Sequence, residues 1–325
     1  MPPDSTRAGF SEGLMEIAAA NDRVVFVSTD SVKVVRSEAF AARWPDRFFE
    51  VGIAEQQGVD FCAGLAASGF IPYIATYAGF LTMRACEQIR TFVAYPNLKV
   101  RLAGVNGGMA GGQREGVSHQ FFEDIGILRT IPGITILVPA DGGQVRKALI
   151  ASVDIDGPVY IRIGSGAEER FFDPAVPFEL GTIKTVLDYG DDLVLFSCGP
   201  VISRAAAALD TLRREGIRGV LAEVATLRPL DVPGISALIR RCGRVVTVED
   251  HQITGGLGSA VAEIIAGGCP GTLIRRGLED RFPESGHADP LLDAYGLSVD
   301  AIAGAGRLLL EKNGGNDDAG NRLFS

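Results

Sequence analysis

The sequence predicts an α/β protein made of two doubly wound, mostly parallel sheets. Three observations carry this. Short, uninterrupted apolar runs recur, among them Val24-Val25-Phe26-Val27 and residues 71–76, 134–138 and 193–197, as expected of strands covered on both faces. Between them lie stretches with apolar residues at helical spacing. The 325-residue length also suits two domains.

Each element can be justified in turn. Residues 7–21 place Phe10, Leu14, Ile17 and Ala18 on one helical face. The strand 24–27 ends at Ser28-Thr29-Asp30, and residues 48–51 form a second strand. A helix over 55–68 follows, with Val59, Cys62, Ala63, Ala66 and Ala67 at helical spacing and Gly69 as its stop. Residues 71–76 are the third strand, 81–94 a helix and 98–105 the fourth strand. The stretch 106–120 holds five Gly within eleven positions and reads as a loop. Phe121, Phe122, Ile125 and Leu128 start the next helix; a strand at 134–138, a helix from Asp141 to about 153 and a strand at 158–163 finish the first domain, 1–165. Residues 166–183, rich in Gly, Pro and charge, are the linker. The second domain, 184–313, repeats the pattern with strands at 193–197, 220–224, 244–248 and 273–274 and helices at 201–215, 232–240, 256–266 and 299–311. The tail, 314–325, has few apolar residues and is expected to be disordered.

Composition removes whole classes of function. A net charge of −9 disfavours nucleic acid or an anionic membrane as partner. No run of 18 apolar residues exists, and the N-terminus lacks the pattern of a secretory signal. The five scattered cysteines have no metal spacing and read as reduced core residues of a cytoplasmic protein.

A few residues carry possible chemistry. Glu55 stands at a helix start in a run with almost no other charge. It is either a first-turn acid complementing the helix dipole or a half-buried carboxyl that shares a proton with a bound ring nitrogen. Tyr77, Phe80 and Met83, spaced by three, would share a helical face, as core packing or as an apolar cup for a ring. Arg84 and Arg90 read as helix-face charges without a role. The Gly-rich loop is no Walker-type phosphate loop, because no Gly-Lys-Ser/Thr follows. His119 closes that loop, where a structural and a functional reading both apply. Asp30, at the C-terminal end of a parallel strand, is a turn residue or a ligand neighbour. His251 reads as structural.

The runs FFEVGIAEQ, FIPYIATYAGF, MRACEQIR, AYPNLKV, EGVSHQFFEDIGILRTIPGITILVPAD and GPVYIRIG occur in this order, followed by VVTVEDHQITGGLGSAVAEII. Together they resemble the pyrimidine-binding and C-terminal domains of transketolase-like thiamine diphosphate enzymes, over residues 7–313. The resemblance implies that Glu55 shares a proton with the aminopyrimidine of thiamine diphosphate, that Tyr77, Phe80 and Met83 cup that ring, and that Asp30 and Ile53 line the cofactor. It implies that His119 hydrogen-bonds the ketol substrate, that Ser31 lies near the substrate entrance, and that Glu115 stands where sugar-specific members carry an Asp. It also implies that Arg162 reaches toward a sugar phosphate, the bland reading being a strand-end Arg paired to a surface acid.

The family holds the diphosphate through Mg²⁺ or Ca²⁺ with a Gly-Asp-Gly segment, which this chain lacks. The resemblance therefore implies that no metal ligand lies here. An N-terminal transketolase subunit would supply that motif, in an α2β2 assembly acting on a ketose. Two departures point to a non-standard donor or acceptor. Gly107 stands where sugar-phosphate enzymes have a His, and Gln113-Arg114-Glu115-Gly116 stands where they have Gly-Glu-Asp-Gly. The alternatives are the β subunit of a 2-oxo-acid dehydrogenase E1, or ketol transfer to a lipoyl or thiol carrier. A scaffold homologue without cofactor is a further one.

Overall fold

The computed structural model describes residues 5–112 and 115–311. The first domain begins with α1 (Thr6–Ala20), whose N-terminus is capped by Ser5, and β1 (Val24–Ser28). Then come α2 (Glu38–Arg43), β2 (Phe48–Glu50), α3 (Glu55–Ala67) and β3 (Ile71–Tyr77). The expected helix over 81–94 is instead a π-helical stretch Phe80–Arg84, a short α4 (Cys86–Gln88) and a second π-helical stretch Ile89–Ala94. β4 (Arg101–Val105), α5 (Asp124–Arg129), β5 (Thr135–Leu137), α6 (Gly142–Ser152) and β6 (Val159–Arg162) complete the first domain. The Asp141 carboxylate caps α6 by accepting from Gln144 N at 2.8 Å.

No helix or strand lies between Arg162 and Lys184. The second domain comprises β7 (Lys184–Asp188), β8 (Leu193–Ser197), α7 (Ile202–Arg214), β9 (Gly219–Glu223) and β10 (Thr226–Arg228). It continues with α8 (Val232–Cys242), β11 (Arg244–Gln252), α9 (Leu257–Ala266), β12 (Thr272–Leu278), α10 (Ala288–Leu292) and α11 (Val299–Glu311).

The expected architecture holds. A seven-stranded sheet runs β10-β5-β6-β4-β3-β1-β2 and a five-stranded sheet β12-β11-β8-β9-β7. All pairs are parallel except β10 with β5 and β7 with β9. Those two antiparallel edge strands, with α2 and α10, are what the pattern missed. β10 belongs to the second domain by sequence, yet it pairs with the first domain's sheet, Thr226 opposite Leu137. The division at the linker is thus crossed by a strand, and one apolar cluster runs from Val27, Ile74 and Ile136 into Val194, Phe196 and Val245. β10 thereby covers the edge that β5 would otherwise expose.

The strands β1, β3 and β4 are parallel neighbours, so their C-terminal ends share one edge. Order reverses between β1 and β3, the position where doubly wound sheets leave a crevice for ligands. Residues 28–31, Tyr77 and the loop after Val105 lie along this edge. The tail after Glu311 and the pair Gln113-Arg114 lie outside the described residues.

Candidate active site

Glu55 is the first residue of α3 and only 2% exposed. A carboxylate there gains from the unpaired N–H groups of the first turn. Its Oε2 accepts from Arg84 Nη1 at 2.7 Å, and the Arg84 guanidinium lies 4.2 Å over the Phe80 ring. Arg84, which carried no expected role, is therefore the ion-pair partner of the candidate catalytic acid. Gln56 Nε2 donates to the Arg84 carbonyl at 3.1 Å, tying the start of α3 to the Phe80–Arg84 stretch.

The turn before α3 is held from below. Glu50 Oε1 accepts from Asp30 N at 2.7 Å and from Gly52 N at 2.9 Å. Burial opposes charge on Glu50, but hydrogen bonds from Ser28, Asp30 and Gly52 outweigh it and hold its pKa below the usual carboxylate value. Asp30 and Ile53 thus sit on two turns clasped by one carboxylate, and both side chains are exposed, Ile53 at 73%. Ser31 differs from expectation. Its hydroxyl is buried and donates to the Ala75 carbonyl of β3, so it braces β1 against β3 instead of facing an entrance.

Tyr77 ends β3 and so does not share a helical face with Phe80 and Met83; the spacing argument fails because the strand runs one residue further than expected. The end of β3 nonetheless brings Tyr77 to 5.6 Å from Phe80. His119 meets both, at 4.9 Å from Tyr77 and 5.2 Å from Phe80. Phe121 closes the group at 5.1 Å from Phe80. These are edge-on contacts in the range that favours aromatic pairs. Phe121 was read only as a helix residue, although it stands two positions after His119. Met83 projects outward at 43% exposure. His119 Nδ1 is 3.0 Å from Ser118 Oγ, and its carbonyl accepts from Asn106 Nδ2 at 3.4 Å.

Arg7, from α1, reaches this edge unannounced by any motif. Its guanidinium hydrogen-bonds Asn106 Oδ1 and stays within electrostatic reach of Tyr77 and Glu115. Burial pushes the Tyr77 phenol up, with Arg7 opposing. Glu115 is exposed at the outer lip.

Arg162 meets a buried acid and not a surface one. Its Nε and Nη2 donate to Asp124 at 2.9 Å each, Nη1 to the Asp250 carbonyl at 2.8 Å and Nη2 to the Phe121 carbonyl at 3.2 Å. Burial alone would raise Asp124, but Arg162, His251 and the Tyr160 hydroxyl keep it below the usual carboxylate value. The guanidinium is thereby committed to the protein, although it still lines a cavity of about 400 Å³ between the domains. It also accounts for Gly107: a Cβ there would come within 2.5 Å of Arg162 Nε. His251 is structural, as expected. It is fully buried, its Nε2 accepts from Gly126 N at 3.2 Å, its Nδ1 lies 2.6 Å from the Gln252 carbonyl, and burial pushes its pKa down to about 4.

A buried carboxylate at a helix N-terminus, joined through Arg84 to a cluster of aromatic rings and an imidazole, fits a ligand with a ring nitrogen and an apolar face. Thr29 Oγ1, on the same edge, is buried without a hydrogen-bond partner. Among the described residues no group of three His, Cys, Asp or Glu is placed to hold a metal.

The family described as transketolase, pyrimidine binding domain matches residues 3–167, and the transketolase C-terminal domain matches residues 181–302. The chain belongs to the transketolase family. It is 37% identical over 301 residues to a putative transketolase C-terminal section of Methanocaldococcus jannaschii, covering 91% of this chain and 93% of that one. It is 34% identical to the 6-deoxy-6-sulfo-D-fructose transketolase subunit SqwH of Clostridium sp. (strain MSTE9), covering 92% of each. A solved structure described as a split gene transketolase, inactive beta4 tetramer, superposes with a TM-score of 0.85 at 34% identity, over 94% of this chain and 98% of that one. The expected family, its two domains and the likeness to separately encoded C-terminal subunits are borne out.

Proposed function

We propose that this chain is the pyrimidine-binding subunit of a two-component transketolase, transferring a two-carbon ketol unit from a ketose to an acceptor. The observation that carries the reading is the buried Glu55 carboxylate at the start of α3, on the same edge as Tyr77, Phe80 and His119. Thiamine diphosphate, when bound, supplies the electron sink for breaking the carbon–carbon bond. Glu55 would hold a proton at pyrimidine N1′, and Tyr77 and Phe80 would pack on the ring. Met83 and Ile53, exposed here, would complete its cover at the subunit contact, with Asp30 beside it. His119 would hydrogen-bond the ketol oxygen, and Glu115 at the lip would read a hydroxyl. The diphosphate, with Mg²⁺ or Ca²⁺, would be held by an N-terminal subunit bearing Gly-Asp-Gly, in an α2β2 assembly in the cytoplasm. No helix among the described residues is long and apolar enough to cross a membrane.

We also propose a donor or acceptor outside the common sugar phosphates. Arg162 spends its donors on Asp124, Asp250 and Phe121, so a phosphate would have to compete with them. One relative is named for a sulfonated sugar. The test combines this chain, an N-terminal transketolase subunit, thiamine diphosphate and Mg²⁺ with hydroxypyruvate and a panel of ketoses. Ketol transfer by the mixture, and by neither subunit alone, is expected. Transfer of an acyl group to a lipoyl domain instead would establish the dehydrogenase alternative, and no cofactor binding by the mixture would establish a scaffold.

A further inference from the structure

Residues 106–112 and 115–126, which include His119, pack against the second domain. Second-domain groups hold them at four places. The Asp250 carboxylate accepts from Met109 N at 2.9 Å and from Ala110 N at 3.3 Å. Gln120 Nε2 donates to the Glu284 carbonyl at 3.0 Å, and Gln252 N donates to the Phe122 carbonyl at 2.9 Å. The His251 ring accepts from Gly126 N at 3.2 Å. Of these groups, only Asp250 brings a formal charge, and it is also the one acting on the entry to the Gly-rich loop. Two consecutive backbone N–H groups pointing at one buried carboxylate give short-range, charge-assisted hydrogen bonds that fix both position and direction of the backbone.

The entry of this loop is coupled to its exit. Gly108 N donates to the Phe121 carbonyl at 2.6 Å, beside the Asn106 side chain that donates to the His119 carbonyl at 3.4 Å. Gly108 has φ +102°, and a Cβ there would lie 2.1 Å from Asp250 Oδ2. Beside Asp250, residue 108 can therefore take this path only as glycine. Arg162 adds a brace from behind, donating to both the Asp250 and the Phe121 carbonyls.

We propose that Asp250 is a positioning residue for ketol transfer: from the second domain, its carboxylate sets the Gly-rich loop so that His119 is held against Tyr77 and Phe80. Asp250 touches neither the proton-sharing carboxyl of Glu55 nor the ring cluster. Its effect reaches the substrate through Gly108, whose N–H donates to the Phe121 carbonyl two residues after His119. The inference rests on the reading of His119 as the ketol-binding group, and it gives the second domain a part in the reaction beyond bulk.

Asp250→Asn tests it in the complete two-subunit complex with thiamine diphosphate and Mg²⁺, using hydroxypyruvate as the donor. Asn keeps the volume but turns one acceptor into a donor facing the loop N–H groups. The expected result is a kcat/KM for the donor lower by roughly 10- to 100-fold, the scale of an approximately ångström-sized misplacement. The apparent affinity for thiamine diphosphate and the rate of hydrogen–deuterium exchange at the cofactor's reactive carbon, which report on Glu55, should be unchanged. Gly108→Ala approaches the same contact from the loop side and should reproduce this split, and the double variant should be no worse than the poorer single one. Should Asp250→Asn not fold, Asp250→Ala, which leaves the Met109 and Ala110 N–H groups without that acceptor, decides in its place. Wild-type kcat and KM in these variants would overturn the proposal, as would an equal loss of cofactor affinity, which marks a merely structural role. An active wild-type complex in which His119→Ala has no effect overturns the reading of His119 and this inference with it, and is told apart by that variant.

Discussion

The Arg84 guanidinium is shared between Glu55, at 2.7 Å, and the face of Phe80, at 4.2 Å. One cation therefore bridges the candidate proton-sharing acid and the ring beside it. Arg84 is 45% exposed but Glu55 is 2% exposed, so removing Arg84 would leave a buried carboxylate without its cation, whereas removing the Glu55 charge leaves only a guanidinium that water can reach. Loss of the Glu55 charge should therefore leave the fold standing, which makes its functional effect readable.

Glu55→Gln should lower cofactor-dependent turnover in the assembled enzyme by roughly 10²- to 10⁴-fold, the range for a lost proton-transfer group. Its thermal melting should shift by no more than a few degrees. Hydrogen–deuterium exchange at the cofactor's reactive carbon, followed by NMR, is the direct check; exchange at the wild-type rate would remove Glu55 from the chemistry.

His119→Ala should leave that exchange intact while reducing kcat/KM for the donor by about 10² or more, the loss expected when one hydrogen-bond donor to a developing charge is removed. Steady-state kinetics with the same cofactor saturation in both proteins would show it. The opposite pattern, with exchange lost and donor affinity kept, would place the imidazole at the cofactor and not at the substrate.

Arg162→Met strips the partner from a fully buried Asp124 and should destabilise the chain by about 3–5 kcal/mol. Asp124→Asn added to it should recover part of the loss, because the amide oxygen can still accept from the Tyr160 hydroxyl, which now donates at 2.6 Å. Urea denaturation of the single and double variants measures this. A double variant as unstable as the single one would contradict it.

Glu223 gives a pH dependence with a definite sign. Its carboxyl is buried beside Gln144, one oxygen lacks a partner, and burial lifts its pKa from 4.5 to about 7. The folded state therefore holds the proton more tightly than the unfolded one. This contribution is complete below about pH 4.5 and is lost as pH rises through 7. Glu223→Gln should match wild type near pH 5 and melt higher near pH 8, by a free energy of up to ~3 kcal/mol. Calorimetric scans across that range are the check, and equal melting at both pH values would refute it.

Much of the fold was legible because parallel strands buried on both faces are written as apolar runs, as in Val24–Ser28 and Leu193–Ser197. The strands that escaped notice lie at sheet edges. Lys184–Asp188 is half-buried and mixed, and Thr226–Arg228 is three residues long, too short for any periodicity. The wide turns at Phe80–Arg84 and Ile89–Ala94 also left no trace, since π-helical and α-helical segments use the same residues.

The candidate site divides in the same way. Glu55, Tyr77 and Phe80 stood out because each lies at the end of a strand or the start of a helix, and His119 because it closes a Gly-rich loop, all of them features that local pattern reveals. Ser31 and Arg162 were expected to face a substrate and turn inward. Their partners, Ala75, Asp124 and Asp250, are 44, 38 and 88 positions away in sequence.

By itself the sequence determined that this is a two-sheet α/β protein of the transketolase kind with an acid placed at the start of the helix after its second strand, because apolar periodicity and strand-end residues are local properties. Only the tertiary structure decided which cation meets that acid, where the Arg162 guanidinium is spent, and that Asp250 of one domain grips the loop of the other. Those are contacts between groups distant in the chain, and their geometry exists only once both sheets have packed on a common core.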